Sequence, residues 1–143
     1  MSDTTDLFRL DGKVAMITGA AGLLGEQHAV ALADLGADIV LTDLDQEVCG
    51  QRAEILTAEK NVQALAVSCD VTDRASWEAV LEAALGRFGH VDVLVNNAAF
   101  TNQSQSANYG APFPEFPLGD WNQILEVNLT GTFLGCQVVG GQM

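Results

Sequence analysis

Residues 14–25 read Val-Ala-Met-Ile-Thr-Gly-Ala-Ala-Gly-Leu-Leu-Gly, an apolar run that enters a glycine-spaced turn and leaves it in a helical pattern. No other stretch limits the possible folds as strongly. Gly19, Gly22 and Gly25 let the backbone turn sharply and approach a ligand with no Cβ between them. The helix that opens there aims unbonded N–H groups and the positive end of its dipole at the same point. A phosphate or pyrophosphate is the ligand such a point favours. Glycines alone punctuate ordinary turns. The strand before and the helix after are what give this spacing its weight.

The rest of the chain repeats that alternation. Strands are expected over 14–18, 38–42, 62–69 and 91–95, the last short and apolar as in a strand buried on both faces. Helices are expected over 23–35, from an Asp45 cap to about residue 59, from a Thr72 or Asp73 cap to Gly89, and over 119–137. The third helix carries Trp77, Val80, Leu81, Ala84, Leu85 and Phe88 at helical period. Strand and helix in strict alternation predict a doubly wound α/β fold of Rossmann type: a parallel sheet, right-handed crossovers and helices on both faces. One segment stands apart. Residues 100–118 form a long connection rich in Asn, Gln, Ser, Gly and Pro, and loops of that length are usually functional or mobile.

Composition narrows the function classes. The chain has 143 residues, 48% apolar and 17% charged, which suits one globular domain with a real core. Its formal net charge of −13 would repel nucleic acid and anionic lipid, so neither is an expected partner. No apolar run approaches the roughly 20 residues of a membrane span. Residues 1–10 are polar and acidic, unlike a secretory leader. Cys49, Cys69 and Cys136 are odd in number and widely spaced, which fits free thiols in a reducing cytoplasm. Cys69, in a strand, and Cys136, on an apolar helix face, are expected in the core. His28 and His90 lack metal-ligand spacing, and no metal site is expected.

Asp43 ends the second strand, 24 residues after Gly19. At that distance from a glycine turn, a carboxylate accepts hydrogen bonds from the adenine ribose hydroxyls of a dinucleotide. A 2′-phosphate roughly 4 Å from it would cost on the order of 4 kcal/mol per unit charge at a surface-like dielectric, about a thousandfold in affinity. No Arg or Lys stands at positions 20, 21, 22 or 44 to offset this, so the expected cofactor is NAD and not NADP. Asp70 and Val71 follow the third strand, where a carboxylate could accept from the adenine amino group or begin a helix cap. Asn96-Asn97-Ala98-Ala99 closes the fourth strand; two amides and two small residues suit a close approach to a ligand, and also an ordinary turn. In the last helix the apolar stripe is Trp121, Ile124, Leu125, Leu129, Phe133 and Cys136, and Asn128 falls inside it. A buried amide without partners costs roughly 1–3 kcal/mol, so Asn128 is expected either to be bonded to neighbouring backbone or to serve function. Tyr109, the one tyrosine, has no lysine near it and reads as a loop residue.

Together these residues resemble the short-chain dehydrogenase/reductase family, in its classical branch. Thr18 to Gly25 is similar to the family's cofactor turn, implying contacts at Gly19, Ala21, Gly22, Leu24 and Gly25. Asp43 matches the NAD-selecting acid, Asp70-Val71 the adenine contact, Asn97-Ala98-Ala99 the motif after the fourth strand, and Asn128 the helix asparagine that anchors a water in the proton relay. The classical spacing puts glycine where Leu23 stands; the Gly-x-x-Gly-x-x-Gly found here is similar to the extended, epimerase-like branch that acts on nucleotide sugars. The resemblance implies strand order 3-2-1-4, a small secondary alcohol or ketone as substrate, hydride transfer with NAD, and a homo-oligomer. The family's catalytic serine and its Tyr-x-x-x-Lys pair find no match, and a complete domain of this kind runs to about 250 residues. Residues 1–143 are therefore expected to be the N-terminal, cofactor-binding part, truncated after about four strands and the following helix, lacking the catalytic part and inactive alone. The alternatives are a non-catalytic NAD-binding or sensing module and an epimerase-like enzyme acting on a nucleotide sugar.

Overall fold

The computed structural model describes residues 7–100 and 110–143. Residues 101–109 of the long connection read from the sequence, Tyr109 among them, lie outside the described residues. The order of elements is β1 (Val14–Thr18), α1 (Leu23–Asp34), β2 (Asp38–Asp43), α2 (Gln46–Lys60), β3 (Ala64–Ser68), α3 (Arg74–Phe88), β4 (Val93–Val95), a single 3-10 turn at Phe113–Glu115, α4 (Leu118–Leu125), a widened π-type turn at Glu126–Thr130, and α5 (Gly131–Val138). The four strands form one parallel sheet in the order β3-β2-β1-β4. Alternation of strand and helix therefore gives the doubly wound α/β architecture.

The apolar runs of the central strands serve two cores at once. Along β1, Val14 and Met16 point to one face and Ala15 and Ile17 to the other. The first face packs on α3 and α5 through Trp77, Val80, Ala84 and Val139. The second packs on α1 and α2 through Ala29, Ala33, Cys49 and Leu56. A strand sandwiched between helices has no solvent face on which to alternate polar residues, which is why β1 and β2 read as continuous hydrophobics.

Local chemistry sets the boundaries. The Asp45 carboxylate accepts from Val48 N at 3.0 Å and starts α2. Asp73, not Thr72, caps α3, accepting from Ala75 N at 3.1 Å and Ser76 N at 3.2 Å. Asn61 ends α2 at φ +55°, a left-handed conformation that asparagine tolerates better than most residues. Two strands are shorter than expected. Residues 62–63 and 91–92 run alongside the sheet without extending its regular pairing, although Val62 and Val91 are buried.

The largest departure lies at the C-terminal helix. The expected continuous helix over 119–137 is interrupted by the wide turn at Glu126–Thr130. Its expected buried stripe is also reversed. Trp121, Leu129 and Phe133 are 48%, 64% and 59% exposed, and Cys136 is exposed rather than in the core. The face that packs inward is made of Gly131, Gly135, Val138 and Val139. Periodicity reveals that a helix has an apolar face; it does not reveal what covers that face. Among the described residues no helix is long and apolar enough to cross a membrane.

Candidate functional site

The carboxyl ends of the four strands converge on one cleft of about 380 Å³. Its walls include Gly19 after β1, Asp43 and Leu44 after β2, Cys69 to Thr72 after β3, Ala98 to Phe100 after β4, and Gln123, Glu126 and Val127 from the helix above. Strand order reverses between β1 and its two neighbours here, and open α/β sheets leave a ligand crevice at that kind of switch point.

The floor is a turn that admits only glycine at two positions. Gly19 sits at φ +65°, and a Cβ there would lie 2.8 Å from Ala98 Cα. A Cβ on Gly25 would lie 2.7 Å from Ala20 Cα and closer still to Gly19 O. Gly25 is thus needed for α1 to pack on the turn and is buried there, not presented to the cleft. Gly22 is the N-cap of α1, and no side chain caps the helix. The first internal bond of α1 runs from Glu26 N to Gly22 O at 3.1 Å, so the N–H groups of Leu23, Leu24 and Gly25 lie at the positive end of the dipole.

Thr18 ties this floor to β4. Its hydroxyl donates to Val95 O at 3.4 Å and accepts from Asn97 N at 3.0 Å and Ala98 N at 2.9 Å. The Asn97 side chain completes the tie, donating to Thr18 O at 2.9 Å and Gly19 O at 3.2 Å. Asn97 thus braces the turn, while Ala98 and Ala99 line the cleft.

The Asp43 carboxylate faces the same turn from β2. One oxygen accepts from Ala21 N at 3.0 Å and the other from Asp45 N at 3.2 Å. Asp70 lines the cleft as well, with one oxygen holding Thr72 N at 2.9 Å and Thr72 Oγ1 at 2.7 Å. Asp70 thus holds the turn that precedes α3, and the helix cap belongs to Asp73. Val71 supports the cleft from beneath: it is buried, and its carbonyl accepts from Trp77 Nε1 at 2.9 Å. Cys69 also lines the cleft, but burial pushes its thiol up to about 11, so it remains a protonated wall residue and not a nucleophile.

Asn128 lies within the wide turn and is exposed. Its amide bonds one residue in both directions: Oδ1 accepts from Phe100 N at 2.7 Å and Nδ2 donates to Phe100 O at 3.2 Å. The premise of burial in an apolar stripe does not hold, and the amide is bonded to neighbouring backbone. What it does is clamp the chain leaving β4 to the helix over the cleft. Wide turns of this type concentrate at functional sites.

Of the residues expected from sequence, Gly19, Asp43, Asp70, Val71, Ala98 and Ala99 come together on the cleft, and Ala21, Asn97 and Asn128 brace its edges. Leu24, with Leu23, is exposed at the start of α1 and outside the cleft lining. The cleft-wall positions Leu44, Phe100, Gln123, Glu126 and Val127 were not anticipated, and neither was Arg52. Arg52 of α2 reaches back to the glycine turn, donating to Ala20 O and to Gly22 O at 3.0 Å, and pairing with Glu26 at 2.8 Å. Its position was the available signal, because it shares a helix face with the buried Cys49, Ala53 and Leu56. Among the described residues no cluster of His, Cys, Asp or Glu could hold a metal ion.

Comparison with known proteins agrees with this geometry. Residues 13–143 match the family model described as short chain dehydrogenase. A D-threitol dehydrogenase of Mycolicibacterium smegmatis is 42% identical over 95% of this chain and 49% of its own length. A trans-4-hydroxycyclohexanecarboxylate dehydrogenase of Sinomonas cyclohexanicum is 42% identical over 94% of this chain and 51% of its own. Among solved structures, an NAD+-bound xylitol dehydrogenase superposes with TM-score 0.83 at 34% identity, covering 94% of this chain and 49% of that one. A short-chain type dehydrogenase/reductase from Mycobacterium marinum reaches TM-score 0.86 at 30% identity, covering 98% of this chain and 53% of that one. The chain thus spans about half the length of the relatives it matches.

Proposed function

The chain belongs to the short-chain dehydrogenase family, and from that premise we propose that it is the dinucleotide-binding part of an oxidoreductase acting on a secondary alcohol or ketone with NAD. The observation that carries this reading is the Asp43 carboxylate, fixed beside the glycine turn by Ala21 N at 3.0 Å. The residues suit the cofactor. The turn leaves no room for a Cβ at Gly19, the N-terminus of α1 has no side-chain cap, and the cleft runs from there past Asp43 to Asp70. The diphosphate would rest on the α1 N-terminus, the adenine ribose on Asp43, and the adenine between Asp70 and Val71.

When bound, nicotinamide supplies hydride chemistry. The chain's own part is to hold and orient. Gly19 permits close backbone approach, and Asp43 accepts from ribose hydroxyls while its charge disfavours a 2′-phosphate. Ala98 and Ala99 leave the cleft wall low enough for a ring to lie across it. Asn128 holds the exit of β4 through Phe100, and we assign it a positioning role in the proton relay of the whole protein. Asn128→Ala is expected to lower kcat there with NAD binding nearly unchanged; unaltered turnover would remove it from the relay. The exposed face bearing Leu129 and Phe133 supports assembly into a homo-oligomer.

Titration calorimetry with NAD and NADP tests the cofactor assignment. A preference for NAD approaching a thousandfold is expected from the charge repulsion estimated at roughly 4 kcal/mol. Equal affinities would overturn it.

A further inference from the structure

We infer that Arg52 is a positioning residue for the diphosphate, acting through the glycine turn and against the charge of Glu26. This rests on the dinucleotide reading above and goes beyond it, because Arg52 lies on α2, outside the turn and outside the cleft lining. Two observations carry it. The first is the double donation by one guanidinium nitrogen to Ala20 O and Gly22 O. These carbonyls flank Ala21, the residue whose N–H holds Asp43. A carbonyl turned toward the cleft would present the negative end of its dipole to an arriving anion. Arg52 draws both toward α2, so the first-turn N–H groups of α1 meet the ligand without an opposing carbonyl beside them.

The second observation is Glu26, in the first turn of α1, where the diphosphate would sit. A carboxylate there favours the bare helix but repels a bound anion. Arg52 Nη2 pairs with Glu26 Oε2 at 2.8 Å, and the arginine side chain is only 20% exposed. The pair thus cancels a charge that would oppose binding, and the fork geometry lets one guanidinium serve carboxylate and carbonyls together, which a lysine ammonium could not do as well.

The test is NADH titration, followed by fluorescence, of the unaltered chain, R52M, R52K and the double variant R52M/E26Q. R52M keeps the side-chain stem and is expected to weaken binding about tenfold, with R52K intermediate at about threefold. The double variant is expected to bind about threefold more tightly than R52M, because Glu26 no longer repels the diphosphate. That recovery separates the proposed role from a purely structural link between α1 and α2, which E26Q would not restore. R52M binding within twofold of the unaltered chain, or a double variant no tighter than R52M, would overturn the inference. Should R52M fail to fold, R52K decides: undiminished NADH binding by it overturns the inference, and the threefold loss supports it. Absence of NADH binding by the unaltered chain would strike the dinucleotide reading itself, and this inference with it.

Discussion

The sheet with α1 to α3 and the segment from α4 to α5 are built on opposite terms. In the first, the large apolar side chains are inside: Met16, Ile17, Ile39, Leu41 and Trp77 are fully buried. In the second they are outside, with Leu118, Trp121, Leu129 and Phe133 exposed and glycines and valines packed inward. The first region is therefore stabilised by its own packing. The second holds position through a small inward face, Val138 and Val139 in the core and Gly131 and Gly135 against Val71 and Trp77, together with polar links from Asn128 to Phe100 and Arg74 to Gln137. Its large apolar face is available for burial against something else.

Paired substitutions break this comparison most directly. Trp77→Ala is expected to cost about 3–5 kcal/mol in denaturant unfolding, from lost packing and the unpaired Val71 carbonyl. Phe133→Ser is expected to change stability by less than about 0.5 kcal/mol, as at an exposed site. A comparable loss at both positions would mean that the second region is covered in solution. The same contrast predicts that the 143-residue chain self-associates, since β4 is an edge of the sheet and the apolar face lies nearby. Sedimentation should show dimers or larger species, reduced by Leu129→Gln with Phe133→Ser; a single monomeric species with a sharp thermal transition would contradict this.

Asp43→Asn acts within the well-packed region but on function. It keeps an acceptor for Ala21 N and removes the charge. NAD binding should weaken by about tenfold or less, while NADP binding strengthens and the preference narrows. An unchanged preference would assign discrimination to another group.

A modest, pH-dependent effect is expected at the opposite end of the sheet. Asp92 accepts from Val14 N at 2.9 Å and from Lys13 Nζ at 2.9 Å. The Val14 N–H, followed by Lys13, holds its carboxyl below the usual range. A group whose folded pKa is depressed contributes stability above its unfolded pKa, and this is lost as pH falls through the folded value. Asp92→Asn should therefore cost about 1 kcal/mol above roughly pH 5, with the two unfolding curves converging in stronger acid. A difference independent of pH would mean that hydrogen bonding alone, and not charge, is at work.

How legible this was in the sequence depends on whether a feature is local. The β1 run, the glycine turn, the α3 stripe and the Asp45 cap each act within one or two elements, and each stands where the residue pattern puts it. Asp43 was legible because its distance from Gly19 fixes it at the end of the next strand. Arg52 was not, since its partners lie 26 to 32 residues away on a different element. Asn128 was half legible. Its chemistry marked it correctly as a residue in need of partners, but the sequence contained no sign that Phe100 would provide both. The reversed stripe of α4 and α5 was illegible in principle, because a helical moment has a direction only once the neighbours are known.

The wide turn at Glu126–Thr130 lets one helical rod serve two masters. Every added residue rotates the downstream part of a helix by about 100°. Upstream, Gln123, Glu126 and Val127 overhang the cleft; downstream, Gly131 and Gly135 lean on Val71 and Trp77. A straight rod would have kept one azimuth throughout, so anything that regularised this stretch would swing the roof of the cleft aside while leaving its foundations untouched.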